Sequence, residues 1–329
     1  MPDVVQIVVT PGSGDGRARS TARRLQKALV RRGYQAHIQT FAALERLQEW
    51  SATCEPAFSH LVGVGGDATL SAAVAAAVRL SIPFVPVPNG FGNMFARAFG
   101  FADQTRRVIE LFERGQIRRV DVGTVNGREI FLSHRSYGVL EEIQQAVERE
   151  GTQPRSRALR LLAYYLMAER LLVTAPLPSI RVEVEGVPLA EDAALVTVAN
   201  VETYSGFLSL TPMASPIDGL FDVFVIPGAT KLRVWTRIFK ILFGFPERWD
   251  GVVLCRGRSV RVTVDGRPPD ELAVRRRAFP LLVLPESVER LRARQAEAEV
   301  EVPCASEACV APAINLVSES RGAAQGPRT

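Results

Sequence analysis

The sequence predicts an α/β domain with a doubly wound parallel sheet, followed by a β-rich domain. Four β–α units with apolar, β-branched strands precede residue 100, and glycine turns directly follow three of these strands. From about residue 125 the pattern changes to strands with two helices between them. Buried strands alternating with helices are typical of parallel sheets with right-handed crossovers. We interpret this second part of the chain as a separate β-rich domain.

The first domain, predicted over residues 1–124, is assigned from its alternating elements. We expect strands at residues 4–10, 35–40, 58–64 and 82–87, and helices at residues 20–32, 41–50 and 103–115. The carboxyl ends of parallel strands share one edge of a sheet. The glycine turns should therefore gather at that edge, where such folds bind ligands.

The second domain, predicted over residues 125–286, begins with a hairpin signal at Asn126–Gly127. Helices are expected at residues 156–173 and 231–243. The second of these has an apolar and a basic face, so it could lie in a membrane interface, but packing on the domain core is favoured. Residues 287–329 form a predicted tail, with a charged, helix-like run followed by disorder. Strands are expected at residues 180–184, 193–199, 220–226, 252–255, 259–264 and 279–284.

Composition excludes several classes of protein. The 329 residues carry 40 basic and 35 acidic side chains, a net charge of +5 that suits an anionic substrate or an anionic membrane surface. Aromatic residues are not interleaved with the basic clusters, so we predict no nucleic-acid partner. The four cysteines are scattered, which indicates a reduced, cytoplasmic protein. The sequence contains no uninterrupted run of eighteen apolar residues, so we predict no membrane-spanning helix.

Residues 61–77 combine an apolar strand, a glycine turn and an Ala-rich helix. Gly65 and Gly66 would let the backbone approach an anion, and the first N–H groups of the helix would point at it. Asp67 and Thr69 follow at the tip of the turn, where a carboxylate suits a metal ion or a substrate hydroxyl. The alternative is a tight βα turn of any α/β protein.

A second glycine turn, PGSGDGRA, follows the first strand. Ser13 and Arg17 in this turn could reach a nucleotide phosphate. The alternative, a solvated turn with exposed arginines, is equally compatible with the spacing.

The order of these motifs resembles the diacylglycerol kinase catalytic-domain family of lipid kinases, which is distantly related to NAD kinases. The resemblance extends from about residue 4 to residue 285. Six segments carry it: VVTPGSGDGRA, GVGGDATLSAAV, VPVPNGFGNMFARAFG, RRVDVGTVNGREIFLSHRSYG, ANVETYSGFLSLTPMASPIDGLFDVFVI and VTVDGRPPD.

The resemblance implies that a nucleotide lies between the α/β domain and a β-sandwich-like domain, and that a lipid hydroxyl enters the same cleft. It implies an ATP-dependent lipid kinase that uses Mg²⁺ and acts on diacylglycerol or a related lipid at a membrane surface. The expected location is cytoplasmic, including peripheral contact with the inner face of the membrane. The oligomeric state stays open, with a homodimer among the alternatives.

The resemblance also assigns site residues. Asp67 would be the catalytic residue. Asp121 would belong to the acidic network around Mg²⁺, and Asp218 would match an aspartate that holds a structural metal in some bacterial members, with Asp222 shaping that loop. The residues expected to bind the nucleotide are Ser13, Arg17, Gly65, Gly66, Ala68, Thr69, Gly90, Gly92 and Asn93.

The sequence departs from the family pattern at four positions. Ala68 replaces a glycine, and we expect its Cβ to crowd a phosphate or to conflict with a positive φ. Phe91 replaces a threonine, and Met94 replaces an aspartate. Arg267 replaces the glutamate proposed as general base in bacterial members, and a guanidinium cannot accept a proton from a lipid hydroxyl.

These departures leave the base and the activity open. Asp67 could act as the base, and Asp270 or Glu271 could reach the site from the turn that contains Arg267. Two alternatives to a lipid kinase follow. One is a nucleotide- or lipid-binding relative without catalysis. The other, less favoured, is an enzyme of the NAD kinase type.

Overall fold

The computed structural model describes residues 3–10, 17–90, 92–138, 141, 177–205, 208–228, 230–243 and 251–301. The predicted helix at residues 156–173 lies outside the described residues, as do Ser13 and Phe91.

The N-terminal half is a doubly wound α/β unit, as predicted. Strands β1, β2, β3 and β4 pair in the order β2–β1–β3–β4, and every pair is parallel. The chain leaves β1 in one direction and returns to its other side with β3, which places a topological switch point between these two strands. The elements are β1 (Val4–Val9), α1 (Ala18–Val30), β2 (Gln35–Thr40), α2 (Leu44–Thr53), β3 (His60–Gly65), α3 (Asp67–Leu80), β4 (Phe84–Pro88), α4 (Met94–Ala98) and α5 (Thr105–Arg114).

The C-terminal half is β-rich, as predicted, and its strands pair antiparallel. Its main strands follow the order β13–β12–β9–β8–β14–β15, with β7 beside β9 and with β10 and β11 in a separate hairpin. The elements are β5 (Gln116–Val125), β6 (Glu129–Phe131), β7 (His134–Gly138), β8 (Ile180–Val184), β9 (Val187–Ala199), β10 (Tyr204–Ser205), β11 (Leu208–Ser209), β12 (Phe221–Pro227), α6 (Lys231–Phe243), β13 (Val253–Gly257), β14 (Ser259–Val264), β15 (Asp270–Val283) and α7 (Pro285–Glu301).

Two long strands, β5 and β15, run through both halves. They pair antiparallel from Leu272↔Val125 to Val283↔Gln116, with an irregularity between Arg275 and Phe279. The end of β15 also pairs parallel with β4. The two halves therefore share one continuous sheet, and the boundary at residue 124 stays a prediction.

An aromatic cluster connects β4 and α4 of the N-terminal half with β15 of the C-terminal half. Phe84 on β4, Phe95 and Phe99 around α4, and Phe279 on β15 are each at most 1% exposed. The Phe279 ring centroid lies 6.0 Å from that of Phe84 and 6.4 Å from that of Phe95. Helix α4 is thus held against the parallel sheet by a strand that enters from the C-terminal half.

The two C-terminal helices pack on the body of the protein. Val234 and Ile241 of α6 are buried against the antiparallel strands, which confirms core packing for this helix. The charged run after Pro285 is a helix, as its helix-like pattern predicted, and its Val288 and Leu291 are buried. Residues 302–329 lie outside the described residues. Among the described helices, none has the length and apolar character needed to span a membrane.

We predict that Gly123→Ala destabilises the junction between the halves. A Cβ at Gly123 on β5 would overlap the ring of Phe131, which is buried and stacked on Phe221 at a centroid distance of 5.6 Å. Overpacking of this kind costs about 1–3 kcal/mol of unfolding free energy, measurable by urea denaturation.

A second substitution tests whether steric overlap with the Phe131 ring causes the loss of unfolding free energy. Phe131→Leu should recover part of the loss when it is combined with Gly123→Ala, because the smaller side chain makes room for the Cβ. If Gly123→Ala leaves the free energy of unfolding unchanged, the packing argument is wrong.

Candidate functional site

Two glycine turns meet at the carboxyl ends of β3 and β4. A Cβ on Gly66 would lie 3.2 Å from the Cα of Gly90, and a Cβ on Gly90 would overlap the Cα of Gly66. The Asn89 N–H donates to the Gly65 carbonyl at 2.8 Å, which fixes one turn on the other. The backbones approach this closely only because neither turn carries a side chain at the contact.

Thr69 supports this turn from inside. It is 3% exposed, and its Oγ1 lies 2.6 Å from Oγ1 of Thr10 at the end of β1. A Cβ on Gly65 would meet the Thr69 side chain at 2.5 Å, so a glycine there leaves room for the threonine. Its hydroxyl thus joins the end of β1 to the first turn of α3, and direct binding of the nucleotide by Thr69 stays a prediction.

Asn93 folds the second turn. Its φ of +49° is left-handed, and its side chain bonds Gly90 twice. The Gly90 N–H donates to Asn93 Oδ1 at 2.9 Å, and Asn93 Nδ2 donates to the Gly90 carbonyl at 2.6 Å. An asparagine tolerates this backbone and supplies both bonds, which accounts for it at the position before α4.

Asp67 lies between the two turns. Its Oδ2 accepts the Met94 N–H at 3.1 Å, and its Oδ1 accepts the Phe95 N–H at 3.3 Å. Burial raises the pKa of this carboxyl, and the backbone N–H donors oppose the shift. A Cβ at Gly92 would lie 3.1 Å from Oδ2, so that glycine keeps space beside the carboxylate. The predicted catalytic residue thus also caps the first turn of α4.

Two of the departures from the family pattern fit the structure. Ala68 is exposed and lies inside helix α3 with no positive φ, so the expected backbone conflict is wrong. Met94 contributes its backbone N–H to Asp67, a contact that any side chain at this position except proline would preserve.

A cleft of about 290 Å³ opens beside these turns. Arg17, Gly90 and Asn93 were expected there, whereas Arg97 was missed. The Arg97 N–H donates to the Asn93 carbonyl at 2.9 Å, so the arginine stands one helical turn after Asn93. That spacing, visible in the segment NMFAR, could have indicated it. The lining residues are Arg17, Pro88, Asn89, Gly90, Asn93, Arg97, Phe101, Ala102 and Asp103.

Asp121 is a buried structural carboxylate. It is 2% exposed, and it accepts the Gly219 N–H at Oδ2 (2.8 Å) and the Arg277 N–H at Oδ1 (2.6 Å). Burial raises its pKa, and the two N–H donors oppose the shift. In the described part of the chain, its hydrogen bonds share no residue with those of Asp67. Its carboxylate holds the junction of β5 and β15, and a role for Asp121 in a magnesium network stays a prediction.

Asp218 is paired with a cation of the protein itself. Arg256 Nη2 contacts its Oδ2, and Arg256 Nε lies 2.8 Å from Oδ1 of Asp222. The described residues contain no group of three or more histidine, cysteine, aspartate or glutamate side chains that could hold a metal ion. Asp218 therefore does not fit the predicted role as a metal ligand.

The turn that contains Arg267 is exposed and contributes no carboxylate to the cleft. Asp270 accepts the Tyr137 hydroxyl at 3.0 Å and the Asn126 amide at 3.1 Å, and Glu271 pairs with Arg261 at 3.0 Å. Burial, and then the charge of Asp270, raise the pKa of Tyr137. Neither Asp270 nor Glu271 lines the cleft beside the glycine turns, and a role for either as the base stays a prediction.

Comparison with known proteins gives two family matches in chain order. The diacylglycerol kinase catalytic domain matches residues 4–125, and the YegS C-terminal NAD kinase beta sandwich-like domain matches residues 136–275. The second match agrees with the predicted β-sandwich-like domain.

Curated relatives and a solved structure agree with these matches. A diacylglycerol kinase of Mycobacterium tuberculosis is 26% identical over 80% of this chain and 85% of its own. One of Bacillus subtilis is 26% identical over 63% of this chain and 68% of its own. An uncharacterized protein of Synechocystis is 27% identical over 66% of this chain, but the match spans only about half of that protein, 49%.

The crystal structure of a diacylglycerol kinase from Bacillus anthracis superposes with a TM-score of 0.61 at 20% identity, over 86% of this chain and 98% of that one. This likeness shows the fold. The two consecutive domain matches and the curated relatives show that the chain belongs to the diacylglycerol kinase-like family.

Proposed function

We propose that this protein is an ATP-dependent lipid kinase, which transfers the γ-phosphoryl group of ATP to a hydroxyl of diacylglycerol or a related lipid. One observation carries the proposal. Two glycine turns in close contact, a partly buried carboxylate and a cleft with two arginines lie at the carboxyl edge of a parallel sheet. Phosphoryl transfer needs positioning and neutralisation of charge more than covalent chemistry.

The cleft supplies the groups that hold phosphate. Helix α3 begins directly at the first glycine turn, so its first N–H groups face this edge of the sheet. Arg17 and Arg97 line the cleft and add two positive charges. We include Mg²⁺ in the proposal because it usually accompanies the phosphates of ATP. We assign none of the described carboxylates to it.

Asp67 is the proposed base. Each of its oxygens accepts one backbone N–H, and each keeps a further lone pair with which it can accept the proton of a lipid hydroxyl. The pKa raised by burial suits proton transfer better than that of an ordinary exposed aspartate. The lipid, its membrane surface, the cytoplasmic location and a homodimer stay predictions.

A second candidate is a nucleotide-binding relative that does not transfer phosphate. Two observations favour it: Asp67 is already engaged in capping α4, and Arg267 stands where bacterial members of the family have a glutamate. The two candidates differ in turnover but not in nucleotide binding, so one assay separates them.

The test measures transfer of radiolabelled phosphate from ATP to diacylglycerol in mixed micelles, with NAD in solution as a second acceptor. The proposal expects label in the lipid fraction. Label in NAD alone would indicate an enzyme of the NAD kinase type. Nucleotide binding by calorimetry without label in either acceptor would favour the second candidate.

We predict that Asp67→Asn lowers kcat by about 10²–10⁴ because the amide cannot accept the substrate proton. The amide oxygen still accepts one backbone N–H, so the free energy of unfolding should fall by only about 1 kcal/mol. Kinetics in the same assay and urea denaturation measure the two effects. Asp192→Asn, an exposed site distant in sequence, is the control. An unchanged kcat would exclude Asp67 as the base.

The same role predicts a pH dependence for the wild-type enzyme. The base works only when it is deprotonated, so kcat should rise with pH through the pKa of Asp67 and then level off. Because burial raises that pKa, the midpoint should lie above the ordinary aspartate value of about 3.9. A rate that stays flat through the acid range down to that value would contradict the assignment.

We predict that Arg97→Met raises the KM for ATP by about tenfold, because one charged hydrogen bond to phosphate contributes roughly that much binding. The matched control is Arg106→Met, which removes an exposed arginine of α5 that lines a different cleft. Steady-state kinetics at saturating lipid measure both variants. If the two variants give equal KM values, Arg97 has no role in nucleotide binding.

A further inference from the structure

An ion-paired cluster surrounds the turn between β11 and β12, at the junction of the two halves. Its centre is the Arg256 guanidinium on β13, with Asp218 in the turn and Asp222 on β12. The side chains of Arg256, Asp218 and Asp222 are 22%, 19% and 8% exposed. The Arg256 Nε to Asp222 Oδ1 distance is 2.8 Å, and Arg256 Nη2 contacts Asp218 Oδ2.

The remaining acceptors of Asp218 are also occupied. The Leu220 N–H donates to Oδ1 at 3.0 Å, and Gln295 Nε2 of α7 donates to Oδ2 at 3.0 Å. Each carboxylate oxygen therefore already has a donor. A divalent cation here would have to displace these donors and approach a guanidinium that carries a permanent positive charge.

The same turn fixes strands from both halves. Gly219, next to Asp218, donates its N–H to Asp121 on β5 at 2.8 Å. Asp121 in turn accepts the Arg277 N–H of β15. A Cβ at Gly219, whose φ is +80°, would overlap the Arg276 side chain that lies against it. The position of the turn therefore affects β5, β12, β13, β15 and α7 together.

We propose that Arg256 takes the place of a structural divalent cation at this turn. The family resemblance leads one to expect a metal ion on Asp218, and the guanidinium instead neutralises both nearby carboxylates and links β13 to β12. The junction of the two halves is then held without a bound ion. Folding is the readout, so the inference stands apart from the proposed kinase activity.

The primary test is thermal unfolding of the nucleotide-free full chain in EDTA, in millimolar MgCl₂ and in millimolar CaCl₂. The wild-type Tm should be the same in all three. A Tm that rises and saturates with either cation, and no longer does so in Asp218→Asn, would overturn the proposal.

The Arg256→Met variant tests whether the arginine takes the place of a divalent cation. It removes the positive charge and leaves two largely buried carboxylates without a partner cation, so the Tm in EDTA should fall by about 5–10 °C. Added Mg²⁺ or Ca²⁺ should then restore part of the loss, and Asp218→Asn in the same background should abolish that restoration. A loss of Tm that neither cation restores would contradict the proposed replacement.

Two further variants keep the test interpretable. Arg261→Met removes an exposed, ion-paired arginine from β14, the next strand along the chain, and should produce no response to divalent cations. If Arg256→Met does not fold in EDTA, Arg256→Lys keeps the charge but loses the fork that reaches both carboxylates. It should lower the Tm without a response to divalent cations, and a response in this variant would count against the proposal.

Discussion

The ladder between β5 and β15 is the constraint on which the rest of the structure depends. It pairs the last strand of the antiparallel half with the first strand after the α/β unit, and then brings β15 beside β4. The cleft edge, the aromatic cluster around Phe279 and the position of α7 follow from this pairing. The ladder is irregular between Arg275 and Phe279, where Asp121 accepts the Arg277 N–H and fixes the bend. A buried carboxylate that accepts backbone N–H groups is well suited to such a bend, because no side chain has to be placed accurately to satisfy it.

Local features of the sequence predicted the strands and the glycine turns. Gly65, Gly66 and Gly90 stand in short segments in which the strand, the turn and the helix start are adjacent, so their placement needs no long-range information. The family resemblance also placed Asp67 in the correct turn. Its contact with the Met94 and Phe95 N–H groups crosses 27 and 28 residues and was not visible in the pattern.

The contacts that the sequence did not reveal join residues far apart in the chain. The hydroxyl of Thr69 pairs with that of Thr10, which lies 59 residues earlier in the chain. The carboxylate of Asp121 accepts the N–H groups of Gly219 and Arg277, which lie 98 and 156 residues later. A carboxylate looks the same in a sequence whether it faces a metal ion, a substrate or a backbone N–H. What decides between these roles is the donor on a distant strand, such as Arg256 opposite Asp218, and a motif read alone does not contain it.

Asp67 links the geometry of the cleft to its chemistry. Its carboxylate holds the start of α4, and α4 carries Arg97 to the cleft one turn later. Charge on Asp67 would therefore favour both its proposed role as base and the placement of the arginine proposed to bind phosphate, since a carboxylate accepts backbone N–H groups better than a protonated acid does. Loss of a single charge would disturb binding and transfer together. This dependence gives a physical reason for an aspartate at this position even in a chain whose other motif residues have changed. Met94 is tolerated because it contributes only its backbone N–H, and Ala68 because its helical position does not require glycine, whereas the proposed role of Asp67 needs the side chain.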